Sequence, residues 1–232
     1  MDGSLLSIVA LVPALVFAIV FHEVAHGWTA LALGDPTAKE QRRLSLNPIR
    51  HVDPFGTLIL PGLLALAGAP VFGWAKPVPV VQQRLRNPRF GMMAVAAAGP
   101  LTNLVMAALG AVAIGLLVRG GVPAEASLSG FAILVLINFL LVNIFLAFFN
   151  LLPIPPFDGS HIVEGLLPRS LAGAYERLRP IGFLLFFGLV ALTWFGPTSG
   201  LLGQVIGPPI EWITGQFDHL IKWVSGGFTP DY

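Results

Sequence analysis

The stretch LLSIVALVPALVFAIVFHEVAHGWTALAL, residues 5–33, holds two histidines and a glutamate within an otherwise apolar run. As an α-helix its length would be about 43 Å, which exceeds the roughly 30 Å hydrocarbon core of a bilayer. We therefore predict a retained transmembrane helix that crosses with some tilt. Because ionisable side chains are costly at that depth, His22, Glu23 and His26 predict a functional site in this helix.

The composition is that of a membrane protein. Of the 232 residues, 55% are hydrophobic and only 11% are charged, whereas soluble domains carry about 25% charged residues. The mean hydropathy is +0.80. A net charge of +1 argues against a nucleic-acid partner, because such proteins usually present a basic face. The chain has no cysteine, so disulfides are excluded and any metal site must use nitrogen and oxygen ligands.

The segment HEVAH, residues 22–26, has the spacing of a metal site. His22 and His26 are four residues apart and share one face of a helix, so both imidazoles can bind one ion. Glu23 lies beside that line and can act as a general base toward a water molecule. Zinc is the metal that this pattern predicts, one ion per chain. The alternative is a metal-free cluster in which the three side chains are hydrogen-bonded inside the bundle.

A third ligand is expected, since catalytic zinc usually has three protein ligands and one open position. The best candidate is Asp158 in NLLPIPPFDGSHI, residues 150–162, where several prolines interrupt a helix. Irregular backbone at membrane depth is expected to line a cavity. Asp158 could instead cap a helix or form a turn. Weaker candidates are His51, Asp53, His161 and Glu164.

Three further spans are predicted, at about residues 92–118, 128–152 and 181–195. The apolar stretch 55–74 is broken by prolines and glycines, and both of its flanks are basic. Because basic loops stay on the cytoplasmic side, we favour a re-entrant segment over a full crossing. The same rule places the metal site toward the cytoplasmic side of the cell (inner) membrane. The basic residues of these loops are Lys39, Arg42, Arg43, Arg50, Lys76, Arg84, Arg86, Arg89, Arg169, Arg177 and Arg179.

The predicted architecture is an all-α polytopic membrane protein with about four transmembrane helices and the re-entrant segment. Residues 1–196 would form this core. Residues 197–232 contain a helical stripe of apolar positions with Trp212 and Trp223 on its flanks, which predicts an interfacial amphipathic helix or simple packing on the bundle. Glycine and alanine residues on the second span would suit a homodimer or internal packing equally well.

These motifs together resemble the site-2 protease family of intramembrane zinc metalloproteases. HEVAH is similar to its zinc-binding segment, and NLLPIPPFDG, residues 150–159, to its second metal motif. AGPLTN, residues 98–103, is similar to a small-residue motif of the intervening helix. SLNPIRHVDPFGT followed by FGWAKPVPV is similar to the compact bacterial branch, so PDZ and CBS domains are not expected. The resemblance covers roughly residues 10–165.

The resemblance implies that His22, His26 and Asp158 bind zinc and that Glu23 activates water. Asn150 and Pro156 would contact the substrate, which Asn150 would help to hold as an extended strand. The expected substrates are transmembrane segments of membrane proteins or remnants of signal peptides, reached within the lipid bilayer. Segment 55–74 would be either an edge for an extended substrate or a packing element.

Three alternative functions remain at this stage. A metal transporter would normally carry ionisable residues along a pathway, and the later spans hold almost none. A catalytically silent scaffold would not require Glu23. Another membrane zinc peptidase, such as one acting on prenylated tails, is distinguished only by the 150–159 segment. We therefore expect a zinc metalloendopeptidase that hydrolyses peptide bonds in or near transmembrane segments.

Overall fold

The structure is a computed structural model that describes residues 3–66, 74–121, 128–195 and 201–227. Within these ranges it is helical and contains no β-strand, so the all-α class is confirmed. Short 3-10 and π-helical turns connect some of the helices. The α-helices are α1 (Gly3–Ala32), α2 (Thr37–Glu40), α3 (Leu60–Leu66), α4 (Pro88–Arg119), α5 (Leu128–Asn150), α6 (Asp158–Leu166), α7 (Arg169–Glu176), α8 (Gly182–Phe195) and α9 (Leu201–Ser225).

Three of these helices are long and apolar enough to cross a membrane. The candidate spans are Val9–Ala32, Pro88–Arg119 and Leu128–Asn150. They coincide with the spans predicted at 5–33, 92–118 and 128–152, with the second beginning four residues earlier. That helix begins at Pro88 because the Asn87 side chain accepts a hydrogen bond from the Phe90 amide and so caps it. The protein is a membrane protein built on these three helices.

The buried face of α1 repeats every four residues. Ala10, Ala14 and Ala18 are almost fully buried, and the same face continues into His22 and His26. Small side chains on α1 and along α4 let α1, α4 and α5 pack closely against one another. The histidines are therefore directed toward the interior of the bundle rather than toward lipid.

The opposite face of α4 is apolar and exposed. Leu101, Val105 and Leu109 each expose more than half of their surface. Exposed leucine and valine side chains on a long apolar helix are what a surrounding bilayer requires, because lipid offers no hydrogen-bonding partner. This distribution matches the candidate span of α4.

The helix at the fourth predicted span, 181–195, begins one residue later than predicted. The helix α8 has 14 residues and is about 21 Å long, which is less than the hydrocarbon thickness. Its Phe186 packs with Leu152 and Phe157 beside the irregular segment after α5. Residues 196–200, where the predicted tail begins, lie outside the described residues.

Residues 55–66 of the predicted re-entrant segment 55–74 are helical. A π-helical turn, Pro54–Ile59, runs directly into α3, and residues 67–73 lie outside the described residues. Helical backbone uses its amides and carbonyls internally. This part of the segment therefore differs from the extended edge that a strand-pairing role would need.

The tail helix α9 packs on the bundle. Its Phe217 and Ile221 join a buried cluster with Ala111 and Ile114 of α4 and with Ile144 of α5. Its tryptophans Trp212 and Trp223 are largely exposed. The apolar stripe seen in the sequence is thus covered at least in part by protein.

Candidate metal centre

Three potential ligands converge where the C-terminal half of α1 meets the first turn of α6. The Nε2 atoms of His22 and His26 lie 3.0 Å apart. The Oδ2 atom of Asp158 lies 3.1 Å from the first and 3.3 Å from the second. The two histidines come from α1, and Asp158 is the first residue of α6. Asp158 is therefore not the cap of that helix, a position that Phe157 occupies.

Hydrogen bonds at the far side of each imidazole determine its tautomer. His22 Nδ1 lies 2.6 Å from Asn103 Oδ1, and the Asn103 amide nitrogen donates to Ala18 O and Asn143 Oδ1. His26 Nδ1 lies 2.7 Å from the carbonyl oxygen of Val95. Since these oxygens can only accept, both rings carry their proton on Nδ1. Both Nε2 atoms therefore present lone pairs to each other.

This donor set fits a zinc ion. Three acceptor atoms face one another, and the buried Asp158 Oδ2 has no hydrogen-bond donor. Such an arrangement is unfavourable unless a cation is shared between them. Tetrahedral zinc with bonds near 2.0 Å spaces its ligands about 3.3 Å apart, which is close to the three observed separations. His22, His26 and Asp158 also form the one cluster of metal-binding side chains found among the described residues.

A glycine allows α4 to lie against the two imidazoles. A Cβ atom at Gly99 would come within 2.5 Å of the Cε1 atoms of both His22 and His26. Gly159 has a similar role beside Asp158, because a Cβ there would overlap the carbonyl oxygen of Leu151. A side chain at either position would have to displace a candidate ligand or the backbone packed against it.

Glu23 is held by an extended segment that crosses the site. We call residues 74–81 the crossing segment; it contains Pro77 and Pro79. The amide of Val78, between these prolines, donates to Glu23 Oε2 at 2.7 Å. Three residues further along the crossing segment, the Val81 amide donates to Asp35 Oδ2 at 2.6 Å.

A buried arginine anchors the crossing segment from its other side. Arg43 is 8% exposed, and its Nη2 donates to the carbonyl oxygens of Lys76 and Pro77. Its Nη1 donates to the carbonyl of Arg50. The Arg43 guanidinium thus binds the carbonyl oxygen of the same peptide group whose nitrogen, the Val78 amide, holds Glu23.

A cavity of about 290 Å³ adjoins these side chains. It is lined by the three potential ligands, by Glu23 and by both predicted substrate-contact residues, Asn150 and Pro156. The Asn150 amide nitrogen donates to Leu146 O within α5. His161 also lines the cavity, so it belongs to the site although it is not one of the three clustered ligands.

The remaining candidate ligands lie elsewhere in the structure. His51 is buried and its Nε2 contacts Ser45 O. Asp53 caps the π-helical turn by accepting from the amides of Phe55 and Gly56. Glu164 is paired with Arg179. Each of these side chains has a structural partner, which accounts for its absence from the metal cluster.

Asn103, Asn143 and Arg43 were not predicted from the sequence as site residues. The two asparagines are fully buried in α4 and α5, and amide side chains within apolar spans are a signal that could have identified them. Arg43 had no comparable signal, because it occurs among other basic loop residues and only the fold shows that it is buried.

Comparisons with known proteins give a consistent family. The profile of peptidase family M50 matches residues 114–192. YwhC of Bacillus subtilis (strain 168), named as a zinc metalloprotease, is 38% identical over 234 residues, covering 99% of each chain. Rip2 of Mycolicibacterium smegmatis, also named as a zinc metalloprotease, is 31% identical over 203 residues. The match covers 82% of this chain and 73% of the Rip2 chain. No solved structure matches significantly.

Proposed function

Because this chain belongs to peptidase family M50 and is an intramembrane zinc metalloprotease, we propose that His22, His26 and Asp158 hold one zinc ion per chain and that Glu23 is its general base. The observation that carries this proposal is the meeting of three acceptor atoms at 3.0–3.3 Å. Each imidazole keeps its proton on the opposite nitrogen, so all three atoms have lone pairs available for an ion.

When bound, zinc would lower the pKa of water to about 7 and polarise a peptide carbonyl. The chain's own contribution to hydrolysis begins with Glu23. Its carboxylate takes a proton from water as the water oxygen bonds to the carbonyl carbon. Glu23 then delivers that proton to the amide nitrogen while the C–N bond breaks, which leaves a carboxyl group and an amine.

The Val78 amide supports this role of Glu23. It donates to Oε2 and so orients the carboxylate in the cavity while leaving Oε1 for the proton transfer. A charged acceptor and a backbone donor form a strong hydrogen bond. The general base is thereby positioned before substrate arrives, which reduces the ordering cost of the reaction.

The substrate is a peptide or membrane protein, and we propose that it is a transmembrane segment or a signal-peptide remnant bound in locally extended form. Amides within a helix are hydrogen-bonded and shielded, so the attacked bond must first be unwound. Asn150 and Pro156 lie at the wall of the cavity and would contact the extended chain. Residues 55–66 are helical, so we assign substrate pairing to none of them.

We propose that the protein resides in the cell (inner) membrane with its site toward the cytoplasm. Basic side chains of three loops support this orientation, among them Lys39, Arg89 and Arg169. In this topology α8 belongs to a fourth span, residues 55–74 re-enter the membrane, and residues 197–232 follow the 1–196 core as an interfacial tail. A homodimer would use glycine and alanine residues of α4, the second predicted span.

The test is cleavage of membrane-tethered reporter peptides by purified wild type, Glu23→Gln and Asp158→Ala, with zinc measured in each preparation. We expect cleavage by wild type but by neither of these two variants, zinc retained in Glu23→Gln, and zinc lost or weakened in Asp158→Ala. Asp218→Ala, an exposed aspartate of α9, is the matched control and should behave as wild type. Cleavage by Glu23→Gln at the wild-type rate would refute the general-base role.

A further inference from the structure

His161 has no role in the proposed reaction, yet it lies in the same cavity. It follows Asp158 by three residues on α6, so both side chains project from one face of that helix. Both line the cavity together with Glu23. About a quarter of the His161 side chain is exposed, so the ring is accessible to a bound peptide while most of it is held by protein.

A neighbouring arginine determines which nitrogen of His161 carries the proton. Arg179 Nη2 lies 3.2 Å from His161 Nδ1. A guanidinium group can donate hydrogen bonds but cannot accept them. The Nδ1 atom must therefore be the acceptor, and the proton of the neutral ring must be on Nε2.

The arginine is itself fixed. Arg179 donates to the Glu164 carboxylate on the next turn of α6. Burial lowers the pKa of His161, and the charge of Arg179 lowers that pKa further. The ring is therefore neutral near pH 7, with a defined tautomer that presents an Nε2–H donor.

The cavity otherwise presents acceptors. The candidate ligand atoms and the Glu23 carboxylate all carry lone pairs, and the Val78 amide already donates to Glu23. The Asn150 amide nitrogen is used within its own helix. No group among the described residues accepts a hydrogen bond from His161 Nε2. A peptide carbonyl entering this cavity thus needs a donor, and His161 has one available.

We propose that His161 is a catalytic residue whose Nε2–H donates a hydrogen bond to the carbonyl oxygen of the scissile peptide bond. Negative charge builds up on that oxygen as water adds to the carbonyl carbon, so the hydrogen bond strengthens in the transition state. Arg179 is a positioning residue that keeps the donor proton on Nε2. This inference rests on the proposed function and adds a transition-state contact to it.

The kinetic test compares His161→Leu with His161→Gln. Leucine removes the donor, whereas the glutamine amide nitrogen can replace Nε2–H at a similar reach. We expect His161→Leu to lower kcat by about 10²–10³-fold, with KM and zinc content close to wild type. His161→Gln should recover roughly tenfold or more of that loss. His219→Leu, an exposed histidine of α9, is the matched control and should retain full activity.

The Arg179 contribution is tested by spectroscopy as well as by activity. In protein labelled with 15N-histidine, the ring shifts of His161, assigned by comparison with His161→Gln, should be those of the Nε2–H tautomer. Arg179→Met should mix the two tautomers and lower kcat, whereas Arg179→Lys, which keeps a donor, should restore both properties.

Three results would overturn the proposal: a protonated Nδ1 in wild type, equal impairment of the leucine and glutamine variants with zinc intact, or a loss confined to KM. Failure of the underlying function is distinguishable from these results. In that case wild type would lack zinc or Glu23→Gln would remain active, whatever is found at His161.

Discussion

The Nε2 atoms of His22 and His26 face each other at 3.0 Å, while the Nδ1 atom of each ring lies beside an acceptor oxygen. Two neutral imidazoles gain nothing from opposing lone pairs. A cation between them would stabilise the arrangement, and the Asp158 carboxylate supplies the matching negative charge. Geometry, tautomers and family membership thus lead to the same account of the site.

The asparagine network should control zinc affinity. Replacing Asn103 with alanine removes the acceptor that fixes the His22 tautomer, and we expect the affinity for zinc to fall by about 10–100-fold. The measurement is competition with a chelator of known affinity. Asn138→Ala is the control, because its amide nitrogen donates to Leu134 O on its own helix. Equal affinities for the two variants would contradict the proposed role of Asn103.

Gly99→Ala should damage the site by steric overlap alone. The added methyl group would lie within 2.5 Å of both histidine rings, so either α4 or the imidazoles must move. We expect loss of zinc and activity together. Gly110→Ala on the same helix, where the nearest atom would be at 3.3 Å, should be far milder in a zinc assay. A fully active Gly99→Ala protein would show that the site does not require α4 to lie this close to the two imidazole rings.

Arg43→Met should impair catalysis without removing the metal. The variant loses the hydrogen bonds to the Lys76 and Pro77 carbonyls, so the Val78 amide no longer holds Glu23 firmly. We expect kcat to fall by about 10-fold or more while zinc is retained. Arg42→Met, an exposed neighbour, is the control for loss of charge. Loss of zinc from Arg43→Met would instead show that Arg43 stabilises the zinc ligands and not only the position of Glu23.

Asp35 should make stability depend on pH. Burial alone would raise the pKa of its carboxyl, but hydrogen bonds from Thr37 and the Val81 amide, with the charge of Arg84, lower it below the ordinary value. A lowered pKa in the folded state means that ionised Asp35 stabilises the fold above about pH 4. That stabilisation is lost as the pH falls through the folded-state pKa.

Asp35→Asn should therefore lower the melting temperature at pH 7 in detergent, and the difference from wild type should shrink in acid. Thermal unfolding followed by tryptophan fluorescence at several pH values is the measurement. A difference that grows toward low pH would have the wrong sign for this mechanism.

The long apolar elements could be predicted from sequence because lipid imposes a minimum length and few charges. The spans 5–33 and 128–152 were located within a few residues of α1 and α5 for this reason. The HEVAH spacing likewise predicts that two imidazoles bind the same ion, since a helix places residues four apart on one face. That Asp158 meets them could be expected only from the proline-rich break and the family resemblance.

Other features depend on tertiary contacts that a single sequence does not specify. The stretch at 54–66 is helical because Asp53 caps it and Pro54 begins it, a conformation that the prolines and glycines of the predicted re-entrant segment 55–74 did not indicate. The tail helix covers its apolar face with α4 and α5, a contact between residues distant in sequence. The burial of Arg43 and the tautomer of His161 likewise follow from partners that only the fold brings together.

The most direct test of the zinc site is the metal content of purified protein measured by mass spectrometry. The account predicts about one zinc per chain in wild type, a large loss in both His22→Ala and Asp158→Ala, and no change in Asp218→Ala. Zinc bound equally well without the Asp158 carboxylate, or wild type without zinc after purification in zinc-containing buffer, would contradict it.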